Sequence, residues 1–248
     1  MKKTFSTLLL LTTLLFVNWK EACAGETLTF QSTEERTLLL ELFTSQGCSS
    51  CPPAERWLNQ FVDHPGLWSE VVPVVFHVNY WDRLGWKDPF ADKRHTARQY
   101  SYSNQGKVRN VYTPCFISNG NEWRGWFKQE SLPSNRETSG ILRGQITQGQ
   151  LTVQYSEEIP LSLSLAILGF DLTTDVKSGE NHGKNLEQQF VVLNHVTAFS
   201  ENGRWSVNLT SLNHRNTQRI GLAVWISKDD ELTPIQATGT WLDKSFIN

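Results

Sequence analysis

The sequence predicts an α+β chain built from parallel βαβ units in its first half and an antiparallel β-sandwich-like second half. Three observations lead there. Through about residue 127, short apolar runs alternate with helical patterns, as parallel strands with crossover helices do. After residue 144 the hydrophobic period changes to two, with six candidate strands and no helical pattern between them, as in an antiparallel sandwich or a partly closed barrel. Between these regions, residues 128–140 are polar and rich in breakers, which places a linker or a short, weakly signalled helix there.

Taken in order, Leu38 to Phe43 is a buried strand. The helix after it carries Ala54, Trp57, Leu58, Phe61 and Val62 on one stripe, with Pro52 and Pro53 in the first turn, where missing N–H groups cost least. It ends near His64-Pro65-Gly66. Val71 to Val78 gives a second β-branched run, with Pro73 near its start, and a right-handed crossover makes it parallel to the first. Asp88-Pro89 reads as an N-cap and first-turn proline opening a helix to about Tyr102. Val111 to Ile117 and Trp123 to Phe127 flank Asn119-Gly120, a strong hairpin signal. The later strands fall at 149–155, 161–168, 189–199, 205–209, 219–226 and 235–242. The turn-rich stretch Thr173 to Asn185, with Gly179, His182 and Gly183, is long enough for a functional loop.

The first residues read as an export signal. Lys2 and Lys3 precede an apolar run from Leu8 to Val17, and Ala22-Cys23-Ala24 fits a cleavage site. The expected organisation is a signal peptide over 1–24, an N-terminal extension over 25–36, a first domain over 37–130, a linker over 131–143 and a β-rich domain over 144–248. The mature protein is expected in the periplasm or secreted, without stable membrane insertion, since no later segment offers about eighteen consecutive apolar residues. Losing Lys2, Lys3, Lys20 and Glu21 takes the formal charge from −2 to −4. No basic tract points to nucleic acid. Most of the ten tryptophans read as core residues.

Cleavage leaves Cys48, Cys51 and Cys115, and an oxidising compartment permits a bridge between the first two. Cys48-Ser49-Ser50-Cys51 lies between a buried strand and a helix start, where unpaired backbone N–H groups favour a thiolate. Bringing a thiol from its usual pKa near 8.5 to about 7 takes roughly 2 kcal/mol, near the upper end of what a helix terminus supplies. Cys48 is therefore the expected attacking thiol. A structural disulfide and metal ligation are the alternatives; His77 with the two cysteines would make a copper or zinc site, although one histidine in a strand is more often satisfied structurally. Cys115 is left buried, reactive or paired elsewhere. No cofactor is assigned.

Three stretches carry a family resemblance: Leu42 to Ala54 (Leu-Phe-Thr-Ser-Gln-Gly-Cys-Ser-Ser-Cys-Pro-Pro-Ala), Phe76 to Phe90 (Phe-His-Val-Asn-Tyr-Trp-Asp-Arg-Leu-Gly-Trp-Lys-Asp-Pro-Phe), and Val111-Tyr112-Thr113-Pro114. They resemble an exported thioredoxin-like family catalogued as domain of unknown function 1223. The likeness is strong over about 37–127 and looser beyond, where Gly179 to His182 and Val191 to His195 contribute. It implies an α/β thioredoxin-like domain followed by the antiparallel β-sandwich-like domain. It also implies that Thr113-Pro114 is a loop whose proline is cis and faces the dithiol. Glu41 resembles the buried acid placed behind such motifs to relay a proton to or from Cys51, the alternative being a salt-bridged glutamate at the strand surface. Asn79 stands where the family has aspartate, and Cys115 where glutamine is common.

The implied function is a thiol–disulfide oxidoreductase acting on thiols and disulfides of exported proteins. Cys48 attacks, Cys51 resolves, and Thr113 and Pro114 align the partner's backbone. The rival is a non-catalytic binding protein for a metal ion or an envelope partner, because the β-rich half is more than a minimal oxidoreductase needs. Trp81 and Trp86 would rim the site for an unfolded polypeptide or pack against the second half.

Overall fold

The computed structural model describes residues 26–134, 137–212 and 217–246. The expected signal peptide, its cleavage site and Cys23 lie outside the described residues, as do Asn135 and Arg136 of the expected linker. A first strand, β1 (Thr27–Gln31), precedes two strands in which every residue is buried, β2 (Leu38–Thr44) and β3 (Val71–His77). Runs with no polar face belong inside a sheet covered on both sides. These two pair in parallel, from Leu38 beside Val71 to Thr44 beside His77. One face of the pair takes α1 (Cys51–Asn59), whose Trp57 meets Phe116 edge-on. The other takes α2 (Lys93–Asn104), where Tyr102 meets Phe43 and His95 meets Phe76.

The helix start expected at Asp88-Pro89 is corrected. Asp92 caps α2 by accepting from Arg94 N at 2.8 Å, while Asp88 accepts from Phe90 N at 2.9 Å and so holds a turn instead. β4 (Cys115–Ser118) runs antiparallel to β2 and turns through Asn119 and Gly120, with φ of 45° and 82°, into the short β5 (Asn121–Glu122). Both positive values suit an Asn-Gly hairpin turn.

The second half supplies β6 (Leu142–Thr147), β7 (Gln150–Tyr155), β8 (Leu161–Phe170), β9 (Leu172–Asp175), β10 (Asn185–Gln188), β11 (Val191–Ser200), β12 (Arg204–Asn208), β13 (Arg219–Ser227) and β14 (Pro234–Leu242). The six period-two segments are all strands. β6, β9 and β10 come in addition, as does β1.

The expected α/β thioredoxin-like domain followed by an antiparallel β-sandwich-like domain is overturned by how these strands join. Strands of both halves form one eight-stranded mixed sheet, in the order β14-β13-β8-β11-β3-β2-β4-β5. Among the described residues there are fourteen strands and only two α-helices, so β-sheet dominates the architecture. The physical cause is at β3. Val191 of β11 lies beside Val75 in parallel, and Val75 N donates to Phe190 O at 2.9 Å, so at Val75 the strand edge that a self-contained first unit would leave open is joined to the second half.

A second sheet, ordered β1-β6-β7-β12, covers the part of the large sheet that the helices do not reach. Alternation along β8 divides its side chains accordingly. Leu161, Leu163, Leu165 and Ile167 pack with Leu151 and Val153 of the second sheet, whereas Ala166, Leu168 and Phe170 join the core around Trp68. Each large aliphatic side chain buried this way contributes about 1.5–3 kcal/mol. Trp68 meets Phe170, Phe190 and Trp241 edge-on or nearly so, and its ring lies against Gly239, where an added Cβ would fall 2.3 Å from it.

Candidate functional site

β2 ends at Thr44, and residues 45–50 carry the chain to α1, with Ser50 as N-cap and Cys51 as the first helical residue. Two turn bonds shape the loop: Cys48 N donates to Ser45 O at 3.1 Å, and Cys51 N to Cys48 O at 3.3 Å. Gln46 is its buried anchor. Its backbone N–H donates to Asp88 at 2.8 Å, its side-chain amide donates to Thr174 and Gln188, and its carbonyl oxygen accepts from Trp86 Nε1 at 3.0 Å. Asp88 Oδ2 also lies 2.7 Å from His77 Nδ1, with both side chains fully buried. Burial opposes ionisation of Asp88, but the His77 interaction and the Gln46 and Phe90 amides outweigh it and hold the carboxyl below its ordinary range.

The two cysteines are unbridged and nearly sealed, Cys48 at 1% and Cys51 at 0% exposure. Cys48 Sγ lies 3.2 Å from Ser50 Oγ and 3.8 Å from the Thr113 carbonyl oxygen. The Thr113–Pro114 bond is cis, the isomer the resemblance implied. Trp81 Nε1 fixes this loop by donating to Thr113 Oγ1 at 2.8 Å.

The thiols are driven apart in acidity. A hydrogen bond from the Cys51 thiol is the main cause that lowers Cys48 to about 6, against its burial, with help from the Ser50 and Thr113 hydroxyls and the Ser50 N–H. Burial pushes Cys51 well above the usual thiol range, and the negative charges of Cys48 and Glu55 add to it. This revises the cause expected from sequence. Pro52 and Pro53 bring no N–H to the first turn, and Cys51 N is turned onto Cys48 O, so hydroxyls and the second thiol do most of what helix amides were expected to do.

Cys48, Cys51, Thr113 and Pro114 are therefore brought together, and Glu41 is not. Alternate residues of a strand face opposite sides. Thr44 faces α1, donating to Glu55 Oε1 at 2.5 Å, and Glu41 faces α2, where Arg98 binds it at 2.7 and 3.1 Å and the Tyr102 hydroxyl donates to it. The acid beside Cys51 is Glu55, four residues on in the same helix. Cys115, paired with Phe43 across β2 and β4, also faces the α2 side, and burial raises its thiol to about 12. Asn79 accepts from Thr96 at 2.8 Å, and Tyr80 donates to Gln99 at 3.3 Å.

Sequence reasoning passed over Thr44, Gln46, Glu55 and Asn181. The spacing of Cys51 and Glu55, one helical turn, was the available signal for the acid. Asn181, buried at 0% exposure, lies in the loop that its length marked as functional; its side-chain amide donates to Gln46 O at 2.9 Å and Cys48 O at 2.8 Å. Beside it, Glu180 Oε2 accepts from Ser49 N at 3.0 Å. Among the described residues, no three His, Cys, Asp or Glu side chains are grouped to hold a metal ion.

Fold and site together define a β-rich protein of mixed sheet that carries a buried, electronically unequal dithiol at a helix start. Its sequence matches the model of the family described as protein of unknown function, DUF1223, over residues 39–227, and the chain belongs to that family. Two solved structures are similar. Protein AGR_C_4864 from Agrobacterium tumefaciens shares 24% identity at a TM-score of 0.62, over 84% of this chain and 95% of that one. HBP35 of Porphyromonas gingivalis shares 14% identity at a TM-score of 0.54, over 86% of this chain and 77% of that one. At these identities the likeness concerns the fold alone. No curated protein matches the sequence.

Proposed function

We propose that this protein is an exported thiol–disulfide oxidoreductase that exchanges Cys48 and Cys51 with cysteines of other exported proteins. The observation that supports it best is the opposite drive on two neighbouring sulfurs, one toward thiolate near pH 6 and one held as thiol. That is the division of labour disulfide exchange needs. The Cys48 thiolate attacks one sulfur of a partner disulfide, forming a mixed disulfide and expelling the other sulfur, which takes up a proton. Cys51 then gives up its proton and attacks Cys48 Sγ. The second partner thiol leaves, so the partner gains two electrons and the protein keeps a 48–51 disulfide. A dithiol protein or thiol pool returns it to the reduced form. Run backwards, the same steps oxidise a partner.

Cys51 is buried, so its proton needs an internal acceptor. The Thr44 hydroxyl interacts with the Cys51 sulfur and donates to Glu55, which makes Glu55 the receiving base. The Thr113 carbonyl, 3.8 Å from Cys48 Sγ, marks the side on which a partner backbone lies. Trapping tests the reading. Cys51→Ala, produced in an exporting host, is expected to accumulate mixed disulfides through Cys48 that a reductant releases and that Cys48→Ser abolishes. A well-folded Cys51→Ala protein that captures nothing from the exported fraction would sink the proposal.

A further inference from the structure

We infer that residues 178–184, in the loop between β9 and β10, form a closed strap whose release of the Cys48 loop controls access to the dithiol. The inference rests on the oxidoreductase reading and adds a regulation of that site. A sulfur in a residue 1% exposed cannot meet a partner disulfide, because the attacking thiolate must approach in line with the S–S bond. Something has to move, and the strap holds the loop from outside. Glu180 takes the Ser49 N–H, and Asn181 donates to the carbonyls on either side of Gly47, those of Gln46 and Cys48. Lys184 Nζ donates to Asn181 Oδ1 at 2.8 Å and fixes that amide's orientation.

The strap is built to be released as a piece. Gly179 and Gly183 flank Glu180 and Asn181 with φ of 74° and 81°, conformations glycine adopts without the strain a Cβ brings, and bonds from His182 N to Gly179 O at 3.1 Å and from Lys184 N to Asn181 O at 3.1 Å tie the segment together internally. A Cβ at Gly183 would meet nothing within 4 Å, so the left-handed backbone rather than packing calls for glycine there. At the other end Gly179 lies against Gly85, and Ser178 Oγ donates to Gly85 O, so the strap is pinned to the loop that also carries Trp81 and Trp86. The two inner contacts differ in strength. Asn181 is fully buried, whereas Glu180 is exposed and its bond competes with water. Release therefore begins at Glu180.

Alkylation of reduced protein by iodoacetamide reads the strap directly when Cys48 is followed by peptide mass across pH 4–10. The midpoint of the rate profile reports thiolate formation, and the plateau reports access. Losing one exposed hydrogen bond to a charged group is worth severalfold in an opening equilibrium, so Glu180→Ala is expected to raise the plateau about threefold. Asn181→Ala, which removes two buried bonds, is expected to raise it about tenfold or more. Both keep the wild-type midpoint to within about half a pH unit. Should Asn181→Ala fail to fold by circular dichroism, the exposed Glu180→Ala decides alone. Plateaus equal to wild type, or a midpoint shift without a plateau change, overturn the strap. A midpoint near 8.5 in every protein, including wild type, would sink the oxidoreductase reading instead, and the plateaus would still judge the strap.

Discussion

Cys48 and Cys51 differ less in position than in what surrounds each sulfur. Cys48 accepts hydrogen bonds, and Cys51, sealed from water and facing a carboxylate, donates one. Because the Cys51 thiol is the largest influence lowering Cys48, its removal should be visible on Cys48. A hydrogen bond to a charged group is worth about 1.5–3 kcal/mol, so Cys51→Ala is expected to move the Cys48 alkylation midpoint up by about 1 to 2 pH units. An unmoved midpoint would mean that some other donor primes the thiolate. The two buried acids also separate by experiment. Glu55→Gln should slow release of a preformed mixed disulfide and leave the first attack nearly unchanged. Glu41→Gln should leave both steps alone yet destabilise the fold by about 3–5 kcal/mol, since it strips the buried Arg98 of its counter-charge. Stopped-flow resolution of a model mixed disulfide, with urea unfolding alongside, tells them apart.

Among the elements, the strands before and after the cysteines were legible because their signals are local: unbroken apolar runs, alternation, an Asn-Gly turn. Partnership was not. Nothing in Val191-Val192-Leu193 says that it will lie beside Val75 rather than close a separate sandwich, and the breaker-rich 128–140 stretch reads the same with one sheet or two. Glu41 was left between two readings for a related reason. A glutamate in an apolar strand announces a buried acid but not which face it takes, and only Arg98, in a helix far along the chain, decides that. The Trp68 seat lies equally beyond local reading. Gly239 accommodates its ring, and an added methyl would also come 2.7 Å from the Leu222 carbonyl oxygen. Gly239→Ala is expected to cost about 1–3 kcal/mol, seen as a lower urea midpoint at unchanged m-value.

At the scale of the molecule, the large sheet encloses histidines that resist protonation. Burial lowers His95 to about 4, with its Nδ1 3.0 Å from the His77 carbonyl oxygen, and drives His195, stacked on Trp225, well below its ordinary range. In the unfolded chain both take up protons near pH 6.5, so the unfolded state binds more protons between about 6.5 and 4 and acid removes stability over that window. The slope is about 1.4 kcal/mol per pH unit for each histidine. Urea midpoints of the oxidised protein, in which Cys48 does not titrate, should therefore fall steadily from pH 6.5 to 4.5, and His95→Gln should flatten the decline by about half. A flat profile there would contradict the burial of these rings.

The pairing of β11 with β3 also bears on what happens when this chain is cut or half-made. A fragment stopping near residue 130 would keep β2, β3 and α1 but lose the partner that β11 gives Val75, leaving that apolar strand at an open margin, and such margins recruit copies of themselves. Nascent chains would carry that hazard until the residues around Val191 had emerged. An excised N-terminal piece is expected to precipitate rather than behave as a miniature enzyme.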